Sequence, residues 1–107
     1  MIKVFVKTNK QQIVRITIEG HAQSAEPGED LICAGVSVAV TGVLNEMIKR
    51  EFFSQGQGGY ELDEGFADII VGDSDSDIQV VLETLVTILE TIEDSNPDYL
   101  EIIQREV

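Results

Sequence analysis

A chain of 107 residues with 43% hydrophobic content has material for one packed core, which excludes a disordered tether and a two-core protein, so a single domain over residues 1–107 is expected. The formal net charge of −13 disfavours nucleic-acid binding through phosphate neutralisation. One cysteine excludes an internal disulfide and suits a reducing cytoplasm. The charge is also unevenly placed: no Lys or Arg occurs between Glu51 and Gln104. Such a surface attracts and steers a basic partner, although acidic side chains also serve plain solubility. The longest uncharged run, Leu31 to Asn45, is too short to cross about 30 Å of hydrocarbon as a helix, so no membrane span is expected.

Met1 to Lys7 alternates apolar and basic residues, unlike the continuous apolar core of a signal peptide. Ile2, Val4 and Val6 share one face of a strand. Thr8 to Gln11 reads as a turn, and Val14, Ile16 and Ile18 repeat the alternation, giving an antiparallel hairpin. Gly20 ends it, and residues 21 to 29 form a loop containing Gln23, Ser24, Pro27 and Gly28.

Asp30 stands at the N-cap position of a helix predicted from about Leu31 to Phe53. Val36, Val40, Val43 and Met47 fall on one side of it, and Gly35 and Gly42 would let that side approach a neighbouring backbone. Ile32 to Val43 is also compatible with a buried strand. Gln55 to Gly59 is a glycine-rich connection. Tyr60 to Leu62 and Phe66 to Val71 then read as a second hairpin around Asp63-Glu64-Gly65. Ser74 and Ser76, set among three aspartates, open a second helix whose apolar face runs Ile78, Val81, Leu82, Leu85, Leu89, Ile92. Asn96-Pro97 stops it, and Tyr99 to Gln104 suits a last strand. The order β-β-α-β-β-α-β predicts a two-layer α+β fold, an antiparallel or mixed sheet of four to five strands with two helices on one face. Its two ββα halves share no motif.

The one histidine and the one cysteine, His21 and Cys33, lie 12 positions apart in this pattern. Imidazole and thiol together are the minimum equipment for thiolate nucleophilic catalysis. With Asp30 as N-cap, Cys33 falls in the first helical turn, where the helix dipole favours thiolate and unpaired amides could hold an oxyanion. Ser37 and Thr41 follow at one-turn spacing on the same side. Against this stands the ordinary fate of an unpaired cysteine, burial as inert packing. Asp30 could cap the helix or orient His21.

Other chemistry fits less well. One histidine and one cysteine are too few ligands for a structural zinc site. Asp73-Ser74-Asp75-Ser76-Asp77 opens like a calcium loop but has Ile78 where glycine is needed and Thr84 where glutamate is needed. Gly56-Gln57-Gly58-Gly59 lacks the Lys-Ser/Thr of a phosphate loop. No metal or cofactor is expected.

The run Gly20-His21-Ala22, then Gly28-x-Asp30-x-x-Cys33-Ala34-x-x-Ser37, resembles the signature of the ribosomal-processing cysteine protease (Prp) family, and length and layout are similar over nearly the whole chain. The resemblance implies a cysteine peptidase of Gram-positive and related bacteria that trims the N-terminal extension of a large-subunit ribosomal protein after an aromatic residue. It implies Cys33 as nucleophile and His21 as general base, with Asp30 and Ser37 at motif positions, and a homodimer. The expected partner is thus a basic ribosomal protein precursor. Two other readings compete: a non-enzymatic assembly or adaptor protein with an acidic docking face, and a redox-responsive thiol.

Overall fold

Apolar alternation near the N-terminus produces the expected hairpin, with β1 (Ile2–Asn9) and β2 (Gln12–Glu19) paired antiparallel. The computed structural model describes residues 1–22, 30–54, 56 and 58–107. After the hairpin come α1 (Leu31–Lys49), β3 (Gly58–Asp63), β4 (Phe66–Val71), α2 (Ser76–Ser95) and β5 (Leu100–Glu106). The strands form one sheet in the order β3-β4-β2-β1-β5, antiparallel except for the parallel β1–β5 pair. Most of the predicted loop between β2 and α1, with Gln23, Ser24, Pro27 and Gly28, lies outside the described residues.

Period-two patterning decides which sheet face the helices cover. Ile2, Val4 and Val6 of β1, Ile16 and Ile18 of β2, and Ala67, Ile69 and Val71 of β4 are buried together beneath Val36, Val40, Leu44 and Met47 of α1 and Ile78, Leu82, Leu85 and Leu89 of α2. Each fully buried Leu or Ile contributes about 1.5–3 kcal/mol. The helical faces differ slightly from expectation: Leu44 is fully buried and Val43 only partly, while Val81 and Ile92 pack at the margin of α2's buried face. Gly35 and Gly42 make no close backbone approach. A Cβ on Gly35 would meet only the Ile92 Cδ1 atom, at 3.8 Å, and one on Gly42 nothing within 4 Å. At 19 residues and a mean hydropathy of 1.8, α1 has the length and composition of a membrane span. The expectation counted only the uncharged run to Asn45, whereas the apolar helix also takes in Glu46 and Lys49; a core helix of a globular protein meets the same criterion of length and composition.

Two departures have local causes. In β2, Lys7 faces Arg15 while Thr8 faces Ile13, so Val14 is an extra residue. This bulge switches the side-chain parity, and Ile13 is buried where Val14 was expected. Ile13 lies beyond the stretch of β2 paired with β4. The buried Gln79 of α2 takes over there, donating to the Ile13 carbonyl at 3.0 Å and accepting from its amide at 2.8 Å. As expected, α2 opens among the serines and aspartates, beginning at Ser76 with Asp75 as its cap, which accepts from the Ile78 amide.

The second departure is the end of α1, at Lys49 rather than near Phe53. Glu51 adopts φ 58°. The Glu51 amide donates to the Ile48 carbonyl and the Phe52 amide to the Met47 carbonyl, the paired bonds of a Schellman motif with Glu51 in the position usually given to glycine. Burial of Phe52 and Met47 supplies the accompanying apolar contact. Glu51→Gly should therefore stabilise the protein by about 1 kcal/mol, read as a raised midpoint in urea unfolding with an unchanged slope.

On the face of the sheet away from the helices, Asp68 is buried by a fork from Arg15 (Nε to Oδ1 3.0 Å, a terminal guanidinium nitrogen to Oδ2 2.7 Å) and the Thr17 hydroxyl at 2.9 Å. The Arg15 hydrogen bonds hold the Asp68 carboxyl below its ordinary range against the opposing effect of burial, helped by Thr17. A carboxyl depressed in the folded state contributes stability above its unfolded pKa of about 3.9 and loses it as pH falls through the lower folded value. Asp68→Asn should lower stability at pH 7 and flatten the loss of stability below about pH 4, as measured by chemical denaturation across pH.

Candidate active site

Asp30 builds the start of α1. Its Oδ1 accepts from the amides of Ile32 and Cys33, each at 3.0 Å, and its carbonyl accepts from the Ala34 amide at 3.1 Å. Capping, one of the two roles open to Asp30, is thus what this geometry displays. The bonds also occupy the amides of Ile32, Cys33 and Ala34, the helix-start donors expected to hold an oxyanion.

Cys33 is half-buried and opens into a cleft of about 260 Å³. Its sulfur accepts a hydrogen bond from the buried amide of Ala22 at 3.3 Å. Ser37 and Thr41 line the same cleft, as one-turn spacing from Cys33 requires.

His21 follows the end of β2 and lines the cleft with Cys33. Gly20 sets it there. At φ 96°, a Cβ on Gly20 would strike the Met1 carbonyl, so the chain passes the N-terminus of β1 at a distance that only glycine permits. The Gly20 amide donates to the Gly65 carbonyl at 2.9 Å, tying this segment to the tip of the β3–β4 hairpin.

Ile2, Ile18, Val36, Val40 and Ala67 give the cleft an apolar floor, and Asp63, Glu64 and Gly65 of the hairpin tip give it an acidic rim. Four predicted site residues, Gly20, His21, Cys33 and Ser37, therefore meet in one cleft, with Ala22 bonded to the sulfur and Asp30 behind it at the helix cap. Gly28 lies outside the described residues. Residue-type reasoning did not find the Ala22 amide or the hairpin tip. A backbone N–H leaves no mark in a sequence, and the tip reaches His21 only because β4 lies beside β2. The two-residue turn at Glu64-Gly65 was the available signal, without its destination.

A family model described as cysteine protease Prp matches residues 1–101. The ribosomal processing cysteine protease Prp of Bacillus subtilis (strain 168) is 32% identical over 101 residues, covering 90% of this chain and 89% of that protein. Its namesake from Staphylococcus aureus (strain Mu50) is 30% identical over 96 residues, covering 88% of this chain and 90% of that protein. Among solved structures, the essential ribosomal processing protease Prp from S. aureus with a covalently linked product peptide superposes with a TM-score of 0.87 at 26% identity, covering 98% of this chain and all of that one. The S. aureus Prp structure with a substrate peptide gives a TM-score of 0.80 at 27% identity, with the same coverage. Fold and relatives define the class: the protein is a cysteine peptidase. More narrowly, it belongs to the Prp family of ribosomal-processing cysteine proteases.

Asp30→Ala should cost about 0.5–2 kcal/mol of stability, whereas Asp30→Asn, an equally good cap, should stay within a few tenths. Urea unfolding of the two variants checks the pair, and equal losses would show that charge rather than capping is what Asp30 supplies.

Proposed function

We propose that this peptidase removes the N-terminal extension of a large-subunit ribosomal protein precursor in the cytoplasm, with Cys33 as nucleophile and His21 as general base. The observation that carries the reading is the opening of both side chains into one cleft, with the Ala22 amide on the sulfur. His21 takes the thiol proton, and the sulfur bonds to the scissile carbonyl carbon, whose oxygen becomes an oxyanion. Collapse breaks the C–N bond, and His21 returns its proton to the leaving amine. Water, deprotonated by His21, then hydrolyses the thioester and frees Cys33. The Ala22 amide is the described donor that stands beside the sulfur, so it is placed to follow the charge from thiolate to oxyanion. Ser37 lines the same cleft, where its hydroxyl would hydrogen-bond the backbone of a bound peptide.

The apolar floor suits an aromatic side chain before the scissile bond, and the Asp63–Glu64 rim suits basic residues of the precursor. Membership of a peptidase family displaces the adaptor and redox readings. For the proposed homodimer, support comes from the outer side of α1, where Leu31 and Val38 are 84% and 73% exposed; sedimentation velocity of the wild type and of Val38→Glu tests it.

With a peptide copying the precursor extension, the wild type should cut once, after an aromatic residue. Cys33→Ala should abolish cleavage, and His21→Ala should lower kcat by roughly 10²–10⁴-fold. Cleavage surviving Cys33→Ala would remove the sulfur from the mechanism.

A further inference from the structure

The β3–β4 hairpin touches the imidazole itself. Gly65, at its tip, has φ +70°, and a Cβ built there would lie 2.6 Å from His21 Nε2, 3.1 Å from Cε1 and 3.4 Å from Cδ2. The bare backbone of Gly65 therefore lies against one edge of the ring, in space that any other residue would fill. The Gly65 carbonyl also accepts the Gly20 amide at 2.9 Å, so one residue holds the chain just before His21 and abuts the side chain after it. The left-handed turn alone does not demand glycine, because asparagine adopts that conformation at little cost. The missing side chain is what the ring requires.

We infer that Gly65 is a positioning residue, fixing where the His21 imidazole stands relative to Cys33. The inference rests on His21 acting as the base. A side chain at position 65 pushes the ring from its place without removing it, so the loss should fall on the chemical step and not on substrate binding. Reactions of this kind lose roughly a hundredfold for a misplacement of about 1 Å.

The histidine is the only one in the chain, so its NMR resonances need no assignment. Four variants separate the effects. Gly65→Asn keeps the turn and adds the Cβ, whereas Gly65→Ala adds the Cβ together with backbone strain. Gly56→Ala imposes the same strain, at φ +70°, where a Cβ meets nothing within 4 Å. His21→Ala removes the base. Measured on each are the His21 Cε1–H titration, the pH profile of Cys33 alkylation by iodoacetamide, and kcat and KM on the precursor peptide.

Gly65→Asn should move the His21 titration, shift the alkylation profile toward that of His21→Ala, and lower kcat roughly ten- to a hundredfold with little change in KM. Gly56→Ala should keep the wild-type profile and kcat. A folded Gly65→Asn with wild-type titration, profile and kcat would overturn the positioning role. So would a Gly56→Ala that matches Gly65→Ala in all three, since backbone strain would then suffice. If instead His21→Ala leaves alkylation and cleavage unchanged, the base assignment fails, and a displaced titration in Gly65→Asn would still report the contact.

Discussion

The hold of Asp30 on the first turn of α1 is the interaction around which the rest is arranged. Once its carboxylate has taken the amides of Ile32 and Cys33, the helix has a fixed beginning, and its rotation is set by burial. Val36, Val40, Leu44 and Met47 lie against the sheet and α2. That seam leaves Cys33, Ser37 and Thr41 on the adjoining side, toward the cleft. A slip of one residue would turn the helix by roughly 100° and carry the sulfur away from the Ala22 amide.

The cleft sits where elements distant in sequence end together. The end of β2 brings His21, the start of α1 brings Cys33, and the β3–β4 tip closes the third side. Strand order makes this possible, because β4 pairs with β2 and sets Phe66 opposite Glu19. Secondary structure supplies the parts, and the sheet decides that they meet.

Much of this was legible in the sequence, and the rest was not for identifiable reasons. Period-two runs over Ile2–Lys7 and Phe66–Val71 and the Asp30 cap stand almost where their residue types put them, because each states its conformation locally. The scarcity of His and Cys made the candidate pair conspicuous, and the spacing around Gly20-His21-Ala22 and Cys33 pointed to the family. The end of α1 was hidden because Glu51 occupies a left-handed position without being glycine. The bulge in β2 was hidden because residues 13 to 18 accommodate either parity, apolar side chains standing at Ile13, Val14, Ile16 and Ile18. Gln79 reads as a polar surface residue until the strand it completes is known. The contact between Gly65 and His21 joins positions 44 apart in sequence, and nothing at either position announces it.

The parallel pairing of β5 with β1 also governs how the chain acquires its fold. Ile2 lies opposite Leu100 and Thr8 opposite Glu106, so the first strand gains its second neighbour only when the last has been synthesised. Until then its free edge is a template for non-native pairing with other chains, and the pairing must close across everything between Asn9 and Leu100. Contacts of such long range slow folding. During translation the nascent hairpin must therefore wait, with one flank open, until β5 has left the exit tunnel.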